Sequence, residues 1–524
     1  MSTDAATDAR LRNGEDIHDA GLVKGLGLTS ATTLVMGSMI GSGVFIVAAD
    51  IARTTGSPAL LIAAWVVTGF MTVSAALAYG ELAAMMPHAG GQYIYLRESL
   101  GPLWGFLYGW TFFLVIQTGT IAAVGVAFGK FLGHFFPAVS STNWILGLHW
   151  KAPKILLGPV ELGGMDVGLN TANLVGILTI VILTVVNLFG IRTGALVQNV
   201  FTFAKTAALV GLVLLGAFVG ANSQAIAANF VNGAFWKNFS WDATFPVSVG
   251  ASGTTAFVGV LTVIAVAQVG SLFSSDAWNN VTFTAGEMKN PKRNLPLALA
   301  VGTSAVILLY IAVNYIYLRV LPLAGSPAAI DLLGKGIQFA PEDRVATAAM
   351  QVMFGAVGAS LMAAAILVST FGCNNGLILS GARVYYAMAK DGLFFKSVGK
   401  LHPAYKTPYV SLGVQAVWTC ILCLSGTYGQ LLDYIIFAVL VFYILTIVGL
   451  FVLRVKQPNA ERPYKAFGYP VLPAIYIAMA LFVDVVLLLY KPQYTWPGLA
   501  IVLLGIPVYF LWSRSSAART GARA

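Results

Sequence analysis

Long uninterrupted runs of apolar residues dominate the hydropathy pattern of this chain. They lack the ten-residue alternating pattern of membrane-spanning strands, and a backbone in lipid must satisfy its own hydrogen bonds, so each run predicts a membrane-spanning helix. Twelve helices are expected near residues 29–54, 58–86, 102–136, 171–190, 193–220, 256–285, 297–321, 344–373, 409–426, 431–454, 471–490 and 497–513. The predicted fold class is therefore an all-α membrane protein.

Composition and charge agree with this class and exclude others. Of the 524 residues, 58% are hydrophobic and 10% are charged, whereas a typical soluble domain carries about 25% charged residues. The net charge of +10 is scattered between the apolar runs and forms no basic face, which argues against a nucleic-acid partner. The three cysteines lie in apolar runs and are expected to pack in the core. Cys420 and Cys423 have a redox or zinc spacing, but no second ligand pair and no polar setting accompany them. No P-loop or catalytic motif occurs, so neither an enzyme nor a cofactor is expected.

The basic residues are distributed unevenly along the chain. With the N-terminus inside, twenty of the thirty lysines and arginines fall in inner segments, nine in outer segments and Lys205 within a span. The inner loops of membrane proteins carry the excess of positive charge. This bias therefore predicts that the protein lies in the inner (plasma) membrane with both termini in the cytoplasm. The first 28 residues are polar and do not resemble a signal peptide.

Two of the predicted helices carry interruptions. Residues 37–45 read Gly-Ser-Met-Ile-Gly-Ser-Gly-Val-Phe, and each glycine weakens a helix by about 1 kcal/mol relative to alanine. Residues 270–280 of the sixth helix read Gly-Ser-Leu-Phe-Ser-Ser-Asp-Ala-Trp-Asn-Asn, a polar cluster inside an apolar run. Close packing through small residues is one explanation of the glycines. The other is that both helices unwind in mid-membrane, as the binding-site helices of secondary transporters do.

The spacing of the two interruptions predicts the domain organisation. They lie in helices one and six, which are five helices apart. Because five is an odd number, a second repeat of five helices would be inverted in the membrane relative to the first repeat. The expected divisions are a cytoplasmic tail at 1–28, a first repeat at 29–220, an external connection at 221–255, a second repeat at 256–454, two further helices at 455–513 and a cytoplasmic tail at 514–524.

The chemistry of the two breaks indicates a ligand. A break at residues 41–43 presents backbone N–H groups at the start of the outer half-helix, and such a helix end attracts a carboxylate. A break at residues 273–275 presents carbonyl groups, which attract an ammonium group. A site that offers both suits a zwitterion, so the residues alone favour a free α-amino acid as the substrate.

Four stretches of the chain resemble the amino acid–polyamine–organocation (APC) superfamily and, within it, bacterial relatives of the L-type amino acid transporters. Besides residues 37–45 they are Tyr-Gly-Glu-Leu at 79–82 with Met-Pro-His-Ala-Gly-Gly-Gln-Tyr at 86–93, residues 273–280 with Gly-Glu-Met-Lys-Asn-Pro-Lys-Arg-Asn-Leu-Pro at 286–296, and Asn-Gly at 375–376 through Tyr-Ala-Met-Ala-Lys-Asp-Gly at 386–392. The resemblance implies a leucine-transporter-type fold, with a 5+5 inverted repeat plus two extra helices, and transport by alternating access.

The resemblance also assigns residues. It implies that the substrate carboxylate is held by Ile40, Gly41, Ser42 and Gly43, and the amine by the carbonyls of Phe273, Ser274 and Ser275. Relatives often have an aromatic residue in place of Ser275 and glycine in place of Ala277, which leaves the side-chain preference open. Animal L-type transporters join a heavy chain through an external cysteine, and residues 137–170 contain none, so no disulfide-linked heavy chain is expected.

Lys205 lies well inside the fifth span. A lysine in a span can snorkel to the membrane interface, but ionisable residues in spans are expensive and usually mark ion or proton paths. The position resembles that of a lysine in sodium-independent members of the superfamily, where the ammonium takes the place of a sodium ion. The hypothesis is that Lys205 replaces sodium, either as a proton carrier or as a fixed charge.

Other polar residues in the spans leave alternatives open. Asp276 either caps the inner half-helix that begins near Trp278, or faces the pocket and pairs with a cationic group. Trp278 either closes over the substrate or packs in the core. Glu81 is expected to form a structural ion pair with an inner basic residue, with a proton site as the alternative. A further set either lines the path or bonds neighbouring helices: Gln117, Thr118, Ser369, Thr370, Asn374 and Asn375.

The basic inner segments at 290–296 and 383–406 either mark the inner side alone or pair with Glu287 or Asp391 to lock an inner gate. The function predicted from all these features is secondary transport of L-amino acids, sodium-independent, by proton symport or exchange. A polyamine or other organic-cation transporter of the same fold and a transporter-like amino acid sensor are the alternatives. The expected partners are the amino acid, the lipid bilayer and protons, and the sequence leaves a homodimer open.

Overall fold

The computed structural model describes residues 17–151, 153, 155–157, 160–162, 166–249, 254–424 and 428–521. Within these ranges ten helices are long and apolar enough to cross a membrane, and two shorter apolar helices, Val260–Ser274 and Tyr409–Cys423, accompany them. Each corresponds to one predicted span. The protein is therefore an all-α, multi-pass membrane protein, and the count of twelve crossings stays a prediction.

The helices are numbered in the order in which they follow one another along the chain. They are α1 (Leu28–Met39), α2 (Gly43–Ile46), α3 (Ala48–Thr55), α4 (Pro58–Met85), α5 (Gln92–Leu100), α6 (Pro102–Thr111), α7 (Gln117–Leu132), α8 (Thr171–Leu188), α9 (Ile191–Phe218), α10 (Ser223–Phe230), α11 (Val260–Ser274), α12 (Asn280–Phe283), α13 (Pro291–Val320), α14 (Leu332–Lys335), α15 (Val345–Lys390), α16 (Tyr409–Cys423), α17 (Tyr428–Lys456), α18 (Val471–Tyr490) and α19 (Pro492–Gly521).

Shorter elements join these helices. A π-helix, Phe112–Ile116, links α6 to α7, and the 3₁₀ helices are Val231–Trp236, Ala285–Glu287, Pro341–Asp343 and Lys396–Gly399. The described parts of the connections contain three antiparallel strand pairs: β1 (Trp144–Lys151) with β4 (Asp166–Asn170), β2 (Ile155–Leu157) with β3 (Val160–Leu162), and β5 (Phe245–Val249) with β6 (Thr254–Val258).

The two interrupted helices lie at the centre of the bundle. Helix α1 packs against α9, α13 and α15, and α11 packs against α2, α3 and α4. In contrast, α8 and α9 expose large apolar side chains such as Leu178 and Phe203. A helix that exposes leucine and phenylalanine faces lipid in a membrane protein. The polar breaks are therefore shielded from lipid by the helices around them.

Helix α15 differs from its prediction. The eighth span was expected to end at residue 373, but the helix continues to Lys390. The predicted end was wrong because the polar residues after 373 bond to neighbouring helices inside the bundle. Asn375 donates to the Gly194 carbonyl and the Gln198 side chain of α9, both at 3.0 Å, and its amide oxygen accepts a bond from the Asn187 side chain of α8 at 3.0 Å.

Both predicted tails are partly ordered into the fold. Residues 1–16 lie outside the described residues, but His18, Leu22 and Leu26 are buried. We call the side of the bundle where these three residues lie the N-terminal side. At the other terminus α19 continues to Gly521, beyond the predicted end at residue 513.

Candidate functional site

The first break separates α1 from α2 at residues 40–42. The prediction of a break at 41–43 is correct at Gly41 and Ser42 and wrong at Gly43, which begins α2. Gly43, the first residue of α2, explains part of the glycine motif. A Cβ atom added to Gly43 would lie 2.1 Å from Ser274 Oγ and 3.0 Å from Ser274 Cα. Only glycine lets the two interrupted helices approach this closely, because any side chain would meet backbone. The two breaks thus lie against each other at the centre of the bundle.

Lys205 holds the carbonyl end of α1. Its ammonium donates to the carbonyls of Gly37 at 2.5 Å, Ile40 at 2.7 Å and Ser369 at 3.4 Å. The side chain is buried, so the snorkelling interpretation is wrong. Ser369 adds hydrogen bonds from its hydroxyl to the carbonyls of Ile40 at 3.0 Å and Gly41 at 2.9 Å. One cation and one hydroxyl therefore satisfy three carbonyls that the break leaves without helical partners.

Two further side chains complete this arrangement. The Tyr310 hydroxyl donates to the Met39 carbonyl at 3.0 Å, and the Cys373 thiol donates to the Ser38 carbonyl at 3.1 Å. Every carbonyl from residue 37 to residue 41 accepts a bond from a side chain of another helix. Tyr310 lies in an ordinary apolar run, so no sequence signal separates it from the other buried tyrosines.

The second break begins two residues later than expected. Helix α11 continues through Phe273 to Ser274, whose hydroxyl donates back to the Gly270 carbonyl at 2.8 Å. Residues 275–279 are not helical, and Ala277 adopts a positive φ of 63°. The Phe273 carbonyl already accepts the Asp276 N–H at 3.2 Å. The prediction of a break at 273–275 was therefore correct at Ser275 and wrong at Phe273 and Ser274.

Asp276 faces cavities and caps no helix. Asn279 precedes the inner half-helix α12, and no side chain caps that end. The Asp276 carboxylate accepts a hydrogen bond from the Tyr443 hydroxyl at 2.6 Å. Of the two alternatives for Asp276, the capping one is therefore wrong. Tyr443, which sequence reasoning missed, lies in one of the most uniformly apolar helices and carries no distinguishing signal.

Two small cavities meet at Asp276, and Val439 and Tyr443 also line both. The first lies between the π-helix, α15 and α17, and its polar lining includes Gln117, Thr120 and Asn280. The second lies on the other side of the break, with Ser275, Trp278 and Tyr476 in its wall. A ligand held by the backbone of both breaks would have Asp276 within its surroundings.

Trp278 lies directly after the break and is buried. Its ring meets Tyr79 edge-on at a centroid distance of 4.8 Å and Tyr443 at 5.1 Å. These contacts place the indole in an aromatic cluster beside the second cavity, which Trp278 and Tyr443 line. Packing and a gating role are compatible with the same contacts.

Comparison with known proteins identifies the family. A family model described as amino acid permease matches residues 26–510, nearly the whole chain. The chain belongs to the amino acid permease family. The serine/threonine exchanger SteT of Bacillus subtilis (strain 168) is 29% identical over 495 residues, which cover 94% of this chain and 98% of SteT.

Two mammalian relatives match over similar lengths. The human large neutral amino acids transporter small subunit 2 is 28% identical over 510 residues, 96% of this chain and 83% of that protein. The mouse b(0,+)-type amino acid transporter 1 is 27% identical over 506 residues, 96% of this chain and 91% of that protein. The expected resemblance to the APC superfamily is confirmed, and the protein is a secondary amino acid transporter, not an enzyme.

Ion pairs close the N-terminal side of this permease. Glu287 and Arg383 form a two-bond pair, 2.7 Å and 3.1 Å long, in which each side chain is 1% exposed. The Glu287 carbonyl also accepts the N–H groups of Gly25 and Leu26, at 2.9 Å and 3.0 Å. Of the alternatives left open for the 383–406 segment, pairing with Glu287 therefore holds for Arg383.

Asp391 has partners outside the two basic segments. It pairs with Arg97 and with His18, whose Nε2 lies 2.9 Å from Oδ1, and it accepts the Tyr93 hydroxyl at 2.6 Å. Burial acts to raise the pKa of the Asp391 carboxyl, but the hydrogen bonds from His18 and Tyr93 and the charge of Arg97 outweigh it, so the pKa lies below its usual value.

Glu81 forms the structural ion pair expected of it. Its buried carboxylate accepts bonds from Arg454 at 2.6 Å and 3.0 Å, Arg462 at 3.1 Å and the Ala466 N–H at 2.7 Å. This carboxylate ties α4 to the connection between α17 and α18. Among the described residues no group of three or more metal-ligating side chains comes together, and all three cysteines are free thiols.

Proposed function

We propose that this permease carries free L-amino acids across the inner (plasma) membrane without sodium, by proton symport or by exchange. The observation that carries the proposal is the Lys205 ammonium, 2.5 Å and 2.7 Å from two carbonyls at the end of α1 and 3.4 Å from the Ser369 carbonyl. A ring of neutral carbonyl oxygens is a site for a hard monovalent cation. Because the lysine ammonium fills it, a sodium ion has no place there.

The roles proposed for the break residues follow their geometry. Ile40, Gly41, Ser42 and Gly43 form the carboxylate side of the site. The N–H groups of Ile40 and Gly41 already donate to the Met36 and Met39 carbonyls, both at 2.9 Å, so Ser42 and Gly43 supply the N–H groups for the carboxylate. The carbonyls at the end of α11, from Phe273, Ser274 and Ser275, bind the amine. Asp276 contacts the substrate side chain, and Trp278 gates the N-terminal side. The contact of Gly43 with Ser274 supports this assignment, because it brings the two sets of backbone groups within reach of one small zwitterion.

The proposed topology has both termini in the cytoplasm, two inverted repeats at 29–220 and 256–454, and helices eleven and twelve outside them. The breaks in α1–α2 and α11–α12 support the repeat, because they interrupt the first helix of each half. No disulfide-linked heavy chain is proposed, since residues 137–170 have no cysteine. A homodimer is compatible with this topology.

The buried Asp276 favours a second candidate, a transporter of polyamines or other organic cations. A carboxylate that borders both cavities is a natural partner for a cationic group. Substrates with and without a positively charged side chain therefore belong in the same panel as the neutral amino acids.

The test is uptake of labelled amino acids and putrescine into proteoliposomes that hold the purified permease. Buffers contain sodium or N-methylglucamine, a proton gradient is present or absent, and the vesicles are empty or preloaded. Equal uptake in both buffers is expected. Accumulation in empty vesicles with an inward proton gradient means symport, and uptake into preloaded vesicles alone means exchange. A strict sodium requirement refutes the role of Lys205, and uptake of putrescine alone favours the second candidate.

A further inference from the structure

A groove on the lipid-facing surface lies between the π-helix Phe112–Ile116 and α16. It has a volume of about 450 Å³, and its walls include Phe113, Tyr409, Gly413, Val417 and Trp418. The Trp418 indole N–H donates to the Leu114 carbonyl at 3.1 Å, so this polar atom is already satisfied. The walls therefore offer mainly apolar surface to an occupant.

The groove is open because a glycine lies at its centre. A Cβ atom added to Gly413 would meet nothing within 4 Å. One turn further along α16, Val417 is 64% exposed. No other part of the described chain covers this strip, so in a membrane the occupant is a lipid chain.

One end of the groove carries unpaired positive charge. Tyr409, the first residue of α16, lies on the N-terminal side, and the chain just before it contains Lys396, Lys400 and Lys406. The 3₁₀ helix Lys396–Gly399 packs against α16. None of the ion pairs in the described ranges includes any of these three lysines, and Lys396 and Lys400 are exposed.

We propose that this groove is a binding site for an anionic phospholipid. One acyl chain lies along Phe113, Gly413 and Val417, and the headgroup phosphate lies among the lysines that precede α16. Lipid tails are as apolar as the groove, so the apolar walls alone select no lipid class. The basic end supplies the selection, because lysines at the membrane surface attract anionic headgroups.

The site borders the transport machinery without belonging to it. Phe113 lines the groove, whereas Phe112 and Ile116, on the same π-helix, line the first cavity beside Asp276. A π-helix inside an α-helix often marks a functional position. A bound lipid therefore packs against the opposite face of the element that borders the substrate cavity.

The experiment compares lipid binding by native mass spectrometry of the purified permease with added phosphatidylglycerol or phosphatidylcholine. Gly413→Leu fills the groove. Gly211→Leu is the matched control, because a Cβ at Gly211 on α9 also meets nothing within 4 Å. Bound phosphatidylglycerol is expected to fall at least about five-fold in Gly413→Leu relative to this control. The substitutions Lys396→Gln, Lys400→Gln and Lys406→Gln neutralise the lysines. Each should lower the amount of bound phosphatidylglycerol by about five-fold, which corresponds to about 1 kcal/mol per lysine. Binding of phosphatidylcholine should not change.

Three results overturn the proposal. Gly413→Leu and Gly211→Leu could bind the same amount of phosphatidylglycerol, which would place the lipid elsewhere. The triple lysine variant could keep its preference for phosphatidylglycerol over phosphatidylcholine. Gly413→Leu could also lose both lipids equally while the lysine variant loses neither, which would leave a groove that takes any acyl chain. Thermal unfolding in detergent verifies that each variant is folded, and the surface lysine variants test the headgroup even if Gly413→Leu does not fold.

Discussion

Removing the buried carboxylate of Glu287 is expected to destabilise this permease strongly. Glu287 and Arg383 are each 1% exposed, and their carboxylate and guanidinium form two hydrogen bonds of 2.7 Å and 3.1 Å. In the Glu287→Leu variant the Arg383 guanidinium stays buried. Of its hydrogen bonds at this site, the bond to the Leu379 carbonyl remains. Loss of one partner of a buried pair costs about 3–5 kcal/mol, because the remaining charge is uncompensated.

The geometry also predicts that the two residues compensate each other. Glu287→Leu and Arg383→Met should each lower the free energy of unfolding by about 3–5 kcal/mol. The double variant removes both charges and should be close to the wild type, since an apolar pair avoids the desolvation of two ions. The coupling energy of the cycle is then the sum of the two single losses, about 6–10 kcal/mol.

The assay is SDS-titrated unfolding of the four proteins in detergent micelles. The matched control is the exposed pair Lys292–Glu461, 2.9 Å apart with side chains 51% and 74% exposed. Its cycle with Lys292→Met and Glu461→Leu should give a coupling energy of at most about 1 kcal/mol. A Glu287–Arg383 coupling no larger than that of the control pair would refute the argument from burial.

Three further outcomes are expected. Gly43→Ala should abolish uptake and lower the unfolding temperature, because the added Cβ lies 3.0 Å from Ser274 Cα, and unchanged uptake would contradict the contact between the breaks. Asp276→Asn should change the ratio of cationic to neutral substrate uptake while its bond with the Tyr443 hydroxyl is retained through the amide oxygen, and an unchanged ratio would remove Asp276 from the site. The pKa of Asp391 lies below its unfolded value of about 3.9, so its contacts stabilise the fold above that pH and are lost as the pH falls through the folded pKa. The unfolding temperature of Asp391→Asn should therefore fall less between pH 7 and pH 3 than that of the wild type. An identical fall in the variant and the wild type would contradict this prediction.

The positions of the helices were predictable because the membrane imposes one rule. A segment in lipid must be apolar and helical, so runs such as 58–86 and 471–490 predict Pro58–Met85 and Val471–Tyr490 closely. The same rule makes polar clusters conspicuous. It therefore locates the break at Gly41 and distinguishes Ser275 and Asp276 from the apolar residues around them.

The rule fails where neighbouring helices change the local balance. The eighth span was expected to end at residue 373, yet Asn375 is buried and bonds to Gly194 and Gln198 of α9, so α15 continues. Likewise a helix cap, which is a local role, was one of the two alternatives for Asp276. Tyr443, 167 residues away, supplies its hydrogen-bond partner instead.

The sequence by itself determined the class of protein, the spans and the approximate places where two helices unwind, because these depend on local hydropathy and backbone flexibility. Only the tertiary structure decided what fills those breaks. Lys205 and Gly37 are 168 residues apart, and Glu287 and Arg383 are 96 apart, so no local pattern pairs them. Their pairing depends on which helix faces touch, since a buried ammonium or carboxylate is stable only beside the partner that packing brings to it.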